Sequence, residues 1–188
     1  PPKLAYDPAA AKKLLAEAGY PNGFQLTLSS TNDRYINDSQ ITQAVAQYLT
    51  QIGIKAEVDA MTRAIYFPRR AKKEFSVAIG GWGSTTGEAA SFLRQWPPTP
   101  NEAKTIGGSN YGGYKNEQFD KIIREAISTL DDNKRSALLQ EAGKIVVDDY
   151  AFIPLHFESG IWAYKSELTL AGRADQYTLA MSVRPKAK

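Results

Sequence analysis

The sequence predicts an α/β fold: a mixed sheet with a βαβ unit flanked by helices, plus an αα-hairpin. Three observations predict it. Two alternating apolar segments enclose an amphipathic helix, a glycine-rich loop follows a third such segment, and two helical stripes run in succession in the second half. With 188 residues, 43% of them hydrophobic and 23% charged, the chain is long and apolar enough to bury a core.

Asp7-Pro8 followed by Ala11, Leu14, Leu15 and Ala18 marks a helix with both ends specified. Asp7 accepts the first free N–H groups, and Pro8 sits where its missing N–H does no harm. Gly19 supplies the stop. Phe24-Gln25-Leu26-Thr27-Leu28 alternates and reads as a half-buried strand. Ile41, Val45, Tyr48, Leu49 and Ile52 share one helical face, with Asn37, Asp38 and Ser39 available as caps and Gly53 as the end. Ile54, Ala56 and Val58 alternate with Lys55, Glu57 and Asp59 in the next strand, which should run parallel to the first.

A shorter helix is expected within residues 62–73, with Pro68 disturbing its middle or marking its start. A third strand, Phe75-Ser76-Val77-Ala78-Ile79, runs into Gly80-Gly81-Trp82-Gly83-Ser84-Thr85-Thr86-Gly87. Residues 88–93 suggest a short helix, and residues 97–113 a long functional or mobile loop. Phe119, Ile122, Ile123, Ala126, Ile127 and Leu130 form one stripe; Leu138, Leu139, Ala142, Ile145 and Val146 form another, and Asp131-Asp132-Asn133 separates and caps them. Three strand-like runs follow, at residues 152–157, 161–164 and 177–181, before a polar end.

The composition excludes several functions. Lys and Arg number 23 against 20 Asp and Glu, and no nucleic-acid motif accompanies the basic stretch Arg69, Arg70, Lys72 and Lys73, which reads as a solvated helix face. No apolar run reaches the roughly 20 residues that cross a bilayer, so direct membrane insertion of this segment is not expected. Any export signal lies upstream or has been removed. Cysteine is absent, and a single histidine rules out multi-histidine metal sites, so neither a metal nor another cofactor is expected. His156 lies in an apolar run and reads as a hydrogen-bonded structural residue. The Asp131-Asp132 pair is explained by capping, and Asp148-Asp149 carries no assigned chemistry. With no Gly-x-Ser-x-Gly elbow and no catalytic set, the chain does not read as an enzyme.

Ligands of an open parallel sheet bind outside the carboxyl ends of its strands. Two loops qualify. In the second, residues 80–87, glycines uncover backbone N–H groups, hydroxyls add donors and acceptors, and Trp82 offers a flat apolar face. A helix follows it, and its N-terminus favours electron-rich groups. The loop meets neither common nucleotide fingerprint. Glycines that merely turn the chain, with Trp82 packed inside, are the structural alternative. The ligand contacts expected are Trp82, Gly83, Ser84, Thr85 and Thr86, joined by Asn32, Arg34 and Tyr35 from the loop after the first strand. Arg34 is equally open to pairing with a ligand carboxylate or to simple solvation.

The segment YDPAAAKKLLAEAGYPNGF (6–24) resembles the region leading into the second lobe of family 5 extracellular solute-binding proteins. NDRY (32–35), QIGIK (51–55), GWG (81–83), YGGYKN (111–116), ALLQEA (137–142) and IPLH (153–156) resemble the same family in the same order. That family comprises the dipeptide, oligopeptide and nickel receptors of ABC importers. The resemblance implies a periplasmic-binding-protein-like lobe: residues 6–153 would be the second lobe, and residues 154–188 strands returning toward a first lobe. Ile161, Trp162, Tyr164 and Leu168 would then be more exposed than a complete receptor allows. It further implies capture of a small-molecule or peptide ligand by hinge closure, membrane permease subunits of an ABC importer as partners, and a periplasmic or membrane-tethered extracytoplasmic location. Peptide-binding members hold the ligand's α-ammonium with an aspartate three residues after the tryptophan, where this chain has Thr85. A modified peptide, an opine-like compound or another small solute is therefore expected. Two other readings stay open: a small α/β enzyme binding an anionic substrate at residues 80–87, with His156, Asp33 or Glu88 as its base, and the ligand-binding ectodomain of a signalling receptor.

Overall fold

The computed structural model describes residues 5–84, 86–103, 105–173 and 175–186. They form two compact units: residues up to 81 with 111–113, and residues 82–110 with those from 114 onward.

In the first unit, Asp7 accepts a hydrogen bond from the Ala10 amide and starts α1 (Pro8–Glu17), as its sequence predicts. No α1 residue is buried. The β1 strand (Phe24–Thr31) pairs in parallel with β2 (Ile54–Met61), Phe24 opposite Ile54 and Thr31 opposite Met61. A short β3 (Val77–Ala78) pairs in parallel on the other side of β1, giving the order β2-β1-β3. This sheet is parallel throughout; antiparallel pairing occurs in a separate ribbon of the second unit.

The βαβ unit closes through α2 (Asp38–Gln51), whose Ala46 and Thr50 line a shallow groove with Ala56 of β2. On the opposite face Arg69 of α3 (Arg63–Ala71) reaches Asp59 at 3.0 Å. Helices thus pack on both faces, although Gln25, Thr27, Lys55 and Glu57, at the amino ends of the strands, remain exposed. Pro68 lies inside α3 and forgoes only the bond to the Ala64 carbonyl. The basic stretch is not merely solvated: Arg69 also pairs with Glu74, and the Arg70 guanidinium lies over the Tyr111 ring. At the amino ends of β1 and β2, Gly23 and Gly53 adopt positive φ and meet backbone to backbone; a Cβ on Gly23 would lie 1.7 Å from the Gly53 carbonyl oxygen.

The buried face of α2 is Asp38, Thr42 and Ala46. The apolar stripe predicted from periodicity is offset from it: Ile41, Val45, Leu49 and Ile52 are half-buried, and Tyr48 is exposed, edge-on to Tyr6. Two hydroxyl-bearing or ionised residues occupy the interior because each finds a partner, Thr42 on the Asp38 carbonyl and Asp38 on the loop after β1.

In the second unit, α5 (Glu117–Ser128) and α6 (Asp132–Asp148) form the expected αα-hairpin and pack with α4 (Ala90–Gln95) around Leu93, Phe119, Ile123, Ala126, Leu139 and Ala142. Asp131 caps α6 as predicted, accepting from the Lys134 amide. Asn116 caps α5 through the Phe119 amide and donates to Asp149 at 2.7 Å. Tyr114 also donates to Asp149, so that carboxylate ties the end of α6 to the segment before α5. Burial first, and then this carboxylate, push the Tyr114 hydroxyl well above its usual range. The long loop is secured by Asn110, whose buried amide donates to the carbonyls of Pro97, Pro98 and Tyr114.

The three strand-like runs of the tail do not form those strands. Residues 152–157 and 161–164 carry no ladder, and a 3-10 turn (Ala180–Ser182) replaces the last. The pairing present is β4 (Leu168–Thr169) with β5 (Arg184–Pro185). An alternating segment becomes a strand only beside a partner. Ile153, Phe157, Ile161 and Tyr164 are exposed, whereas Trp162 and Leu168 are half-buried. His156 is exposed too and bonds to none of the described residues, contrary to the structural role expected of it.

Candidate functional site

The predicted contacts divide between the units: Asn32, Arg34 and Tyr35 in the first, and Trp82, Gly83, Ser84 and Thr86 in the second. Thr85 lies outside the described residues.

In the first unit the loop after β1 sits at the carboxyl ends of the parallel strands, where the Asn32 amide bonds the Met61 carbonyl. Asp38 organises it. Its carboxylate, 4% exposed, accepts from the Thr31 hydroxyl at 2.9 Å and from the Arg34, Tyr35 and Ser39 amides. Burial opposes ionisation, but these hydrogen bonds outweigh it and hold the carboxyl below its ordinary range. Asp38 therefore looks back into the loop. Asn37 stands before the helix in the left-handed conformation without capping it. Asp33 accepts from the Arg63 amide at 2.7 Å and so caps α3 from a distant strand loop.

Tyr35 is held by this arrangement, and its hydroxyl both accepts from the Gly81 amide at 2.9 Å and donates to the Gly81 carbonyl at 3.3 Å. A Cβ on residue 81 would meet the Tyr35 ring at 2.8 Å, so the close approach needs glycine. The Arg34 guanidinium lies 5.1 Å from the Tyr35 ring centroid and 4.9 Å from that of Phe67. It forms no ion pair among the described residues, and its aromatic shelf presents a cation with free donors.

Ser30, fully buried near the end of β1, has a hydroxyl oxygen with no hydrogen-bond partner among the described residues. Ser30→Ala is expected to leave stability unchanged or raise it by up to about 1 kcal/mol in urea denaturation. A clear loss would show that the hydroxyl is bonded.

In the second unit Trp82 is 41% exposed and stands edge-on to Phe92 and Trp96, while its indole donates to Ser91 at 3.1 Å. The ring is thus partly packed and partly exposed. Ser84 donates to the Glu88 carbonyl at 3.0 Å, its hydroxyl lies 3.4 Å from that of Thr86, and Gly83 has open space around it. The following helix, α4, begins at Ala90 and has six residues, too short for the anion-favouring dipole expected of it. Sequence reasoning missed the partner of Glu88. Arg135 grips it through two parallel bonds and holds its carboxyl below the ordinary range. No local pattern signals a pair 47 residues apart.

No group of His, Asp and Glu among the described residues is arranged to hold a metal. No described helix is long and apolar enough to cross a membrane. Of the three candidates for an enzyme's base, Asp33 caps α3 and Glu88 is bound to Arg135.

Residues 1–104 match the family described as bacterial extracellular solute-binding proteins, family 5 Middle. The glutathione-binding protein GsiB of Escherichia coli (strain K12) is 35% identical over 175 residues, covering 87% of this chain and 32% of its own length. The chain thus spans about a third of the length of the curated relatives it matches. Among solved structures, the periplasmic binding protein DppA of Helicobacter pylori, in complex with peptide STSA, aligns with TM-score 0.68 and 28% identity over 80% of this chain and 28% of its own. MoaA from A. tumefacien, in complex with mannopinic acid, aligns with TM-score 0.75 and 25% identity over 97% of this chain and 37% of its own.

Proposed function

Because the chain belongs to the family 5 bacterial extracellular solute-binding proteins, we propose that it is most of one lobe of the receptor that feeds an ABC importer. Residues 6–153 would form the second lobe and residues 154–188 the return toward the first. The observation that carries this is a relative, itself a binding protein, matched along 87% of the chain by only 32% of its own length. The exposed apolar side chains of the tail, Ile153, Phe157 and Ile161, suit a surface that a further lobe covers.

Function here is capture without covalent chemistry. Closure of two lobes would enclose the solute, and permease subunits in the membrane would read the closed form. The receptor would work in the periplasm, or tethered outside the membrane in a Gram-positive host. Trp82 would stack on a planar or apolar part of the ligand, Gly83, Ser84, Thr85 and Thr86 would supply polar contacts, and Asn32 and Tyr35 would flank Arg34. Arg34, which forms no ion pair among the described residues, suits a carboxylate. Residue 85 is neutral and Glu88 is committed to Arg135, so a buried ammonium lacks a carboxylate partner in this loop. These contacts favour an acidic or modified peptide, or an opine-like acid, over a simple dipeptide.

Isothermal titration with glutathione, the tetrapeptide STSA and mannopinic acid tests this. The parent protein, at the length of its relatives, is expected to bind at least one of them about tenfold or more tighter than this chain alone, because half a cleft supplies fewer contacts. Equal affinities would rule out the two-lobe reading.

A further inference from the structure

We infer that Arg135, on α6, is the positioning residue of the loop that carries Trp82, Ser84 and Thr86. The inference rests on the reading of those three as ligand contacts.

The Arg135 guanidinium is tied on three sides. Its Nε donates to one Glu88 carboxylate oxygen at 2.5 Å, its Nη2 to the other at 2.8 Å, and its Nη1 to the Ala126 carbonyl of α5 at 2.9 Å. A guanidinium fixed in this way has one position, and Glu88 follows it. Glu88 in turn is the point on which the loop closes. Its carbonyl accepts from the hydroxyls of Ser84 at 3.0 Å and Ser91 at 3.4 Å, and its amide donates to Thr86 at 3.4 Å. Ser91 accepts the Trp82 indole. Trp82, Ser84 and Thr86 are therefore each one or two hydrogen bonds from a residue that α6 holds. Without Arg135, the ligand itself would have to order the loop, at an entropic cost to affinity.

The ¹⁵N relaxation of the ligand-free chain tests this in four forms: wild type, Arg135→Ala, Arg135→Lys, and the exchanged pair Glu88→Arg with Arg135→Glu. Arg135→Ala is expected to lower the order parameters of Ser84, Thr86 and Glu88 by about 0.2 or more, toward the range of flexible backbone. Those of Ile122, Ala126 and Ala142 in the hairpin stay unchanged. Lysine, a point charge that cannot span both carboxylate oxygens, recovers part of the order, and the exchanged pair recovers more of it than either single change allows. Loop order parameters that do not respond, that fall equally throughout the hairpin, or that no replacement recovers would overturn the assignment to Arg135. No ligand is used, so the outcome is independent of whether the receptor reading survives titration.

Discussion

Replacing Gly23 by alanine is expected to destabilise the chain by about 3–5 kcal/mol, the range of severe overpacking and strained backbone combined. The new Cβ would sit 1.7 Å from the Gly53 carbonyl oxygen, and that oxygen is backbone, so no side-chain rotation relieves the clash. The φ of +69° at Gly23 adds a second penalty for any residue with a Cβ. The strain falls where β1 and β2 begin, and moving either strand shifts a ladder paired over its whole length. Urea denaturation with a two-state fit checks it. Gly83 supplies the control: a methyl group there would meet nothing within 4 Å, so Gly83→Ala should cost far less.

Removing the Asp38 carboxylate is expected to cost about 2–4 kcal/mol, because four donors lose an ionised acceptor in a buried site. The effect depends on pH in a defined sense. The folded protein holds this carboxyl below its ordinary range, so its contribution is fully present above the unfolded-state pKa of about 4. It is lost as pH falls through the folded value. Asp38→Asn should therefore lower stability at neutral pH and flatten the fall below about pH 4, as measured by urea midpoints across an acid series. A variant curve parallel to the wild type at all pH values would show that folding does not lower the Asp38 pKa. The change also reaches the candidate site, since the same carboxylate holds the amides of Arg34 and Tyr35.

Local signals were legible in the sequence wherever local chemistry decides the outcome. Asp7 caps α1, Asp131 caps α6, and the stripe through Phe119, Ile123 and Ala126 is the buried side of the hairpin. The alternation in β1 and β2 gave the parallel pair, and the glycines after β3 gave a loop at the carboxyl end of the sheet. What the sequence concealed depends on partners remote along the chain. Arg135 reaches Glu88 across 47 residues, Tyr114 reaches Asp149 across 35, and Asp33 caps a helix 30 residues away. None of these has a period. Asp38 was visible as a cap but not as the centre of the preceding loop, because the left-handed Asn37 turns the chain before the helix starts.

The tail shows the complementary error. Its alternation satisfies a strand pattern, yet a ladder also needs neighbours, and residues 152–157 have none among the described residues. The buried face of α2 was displaced for a similar reason. Hydrophobicity selected Ile41, Val45 and Ile52, while hydrogen bonding drew Asp38 and Thr42 inside. The Trp82 loop was legible as a binding surface in outline, but the brace that shapes it was not.

Native mass spectrometry of the parent protein as purified, in wild-type, Trp82→Leu and Arg34→Ala forms, tests the central claim most directly. If these loops capture a solute, the wild type carries a small noncovalent adduct that is released on unfolding, and both variants carry less of it. A wild type that flies bare, or an adduct that both substitutions leave untouched, would contradict the assignment of these residues to solute capture.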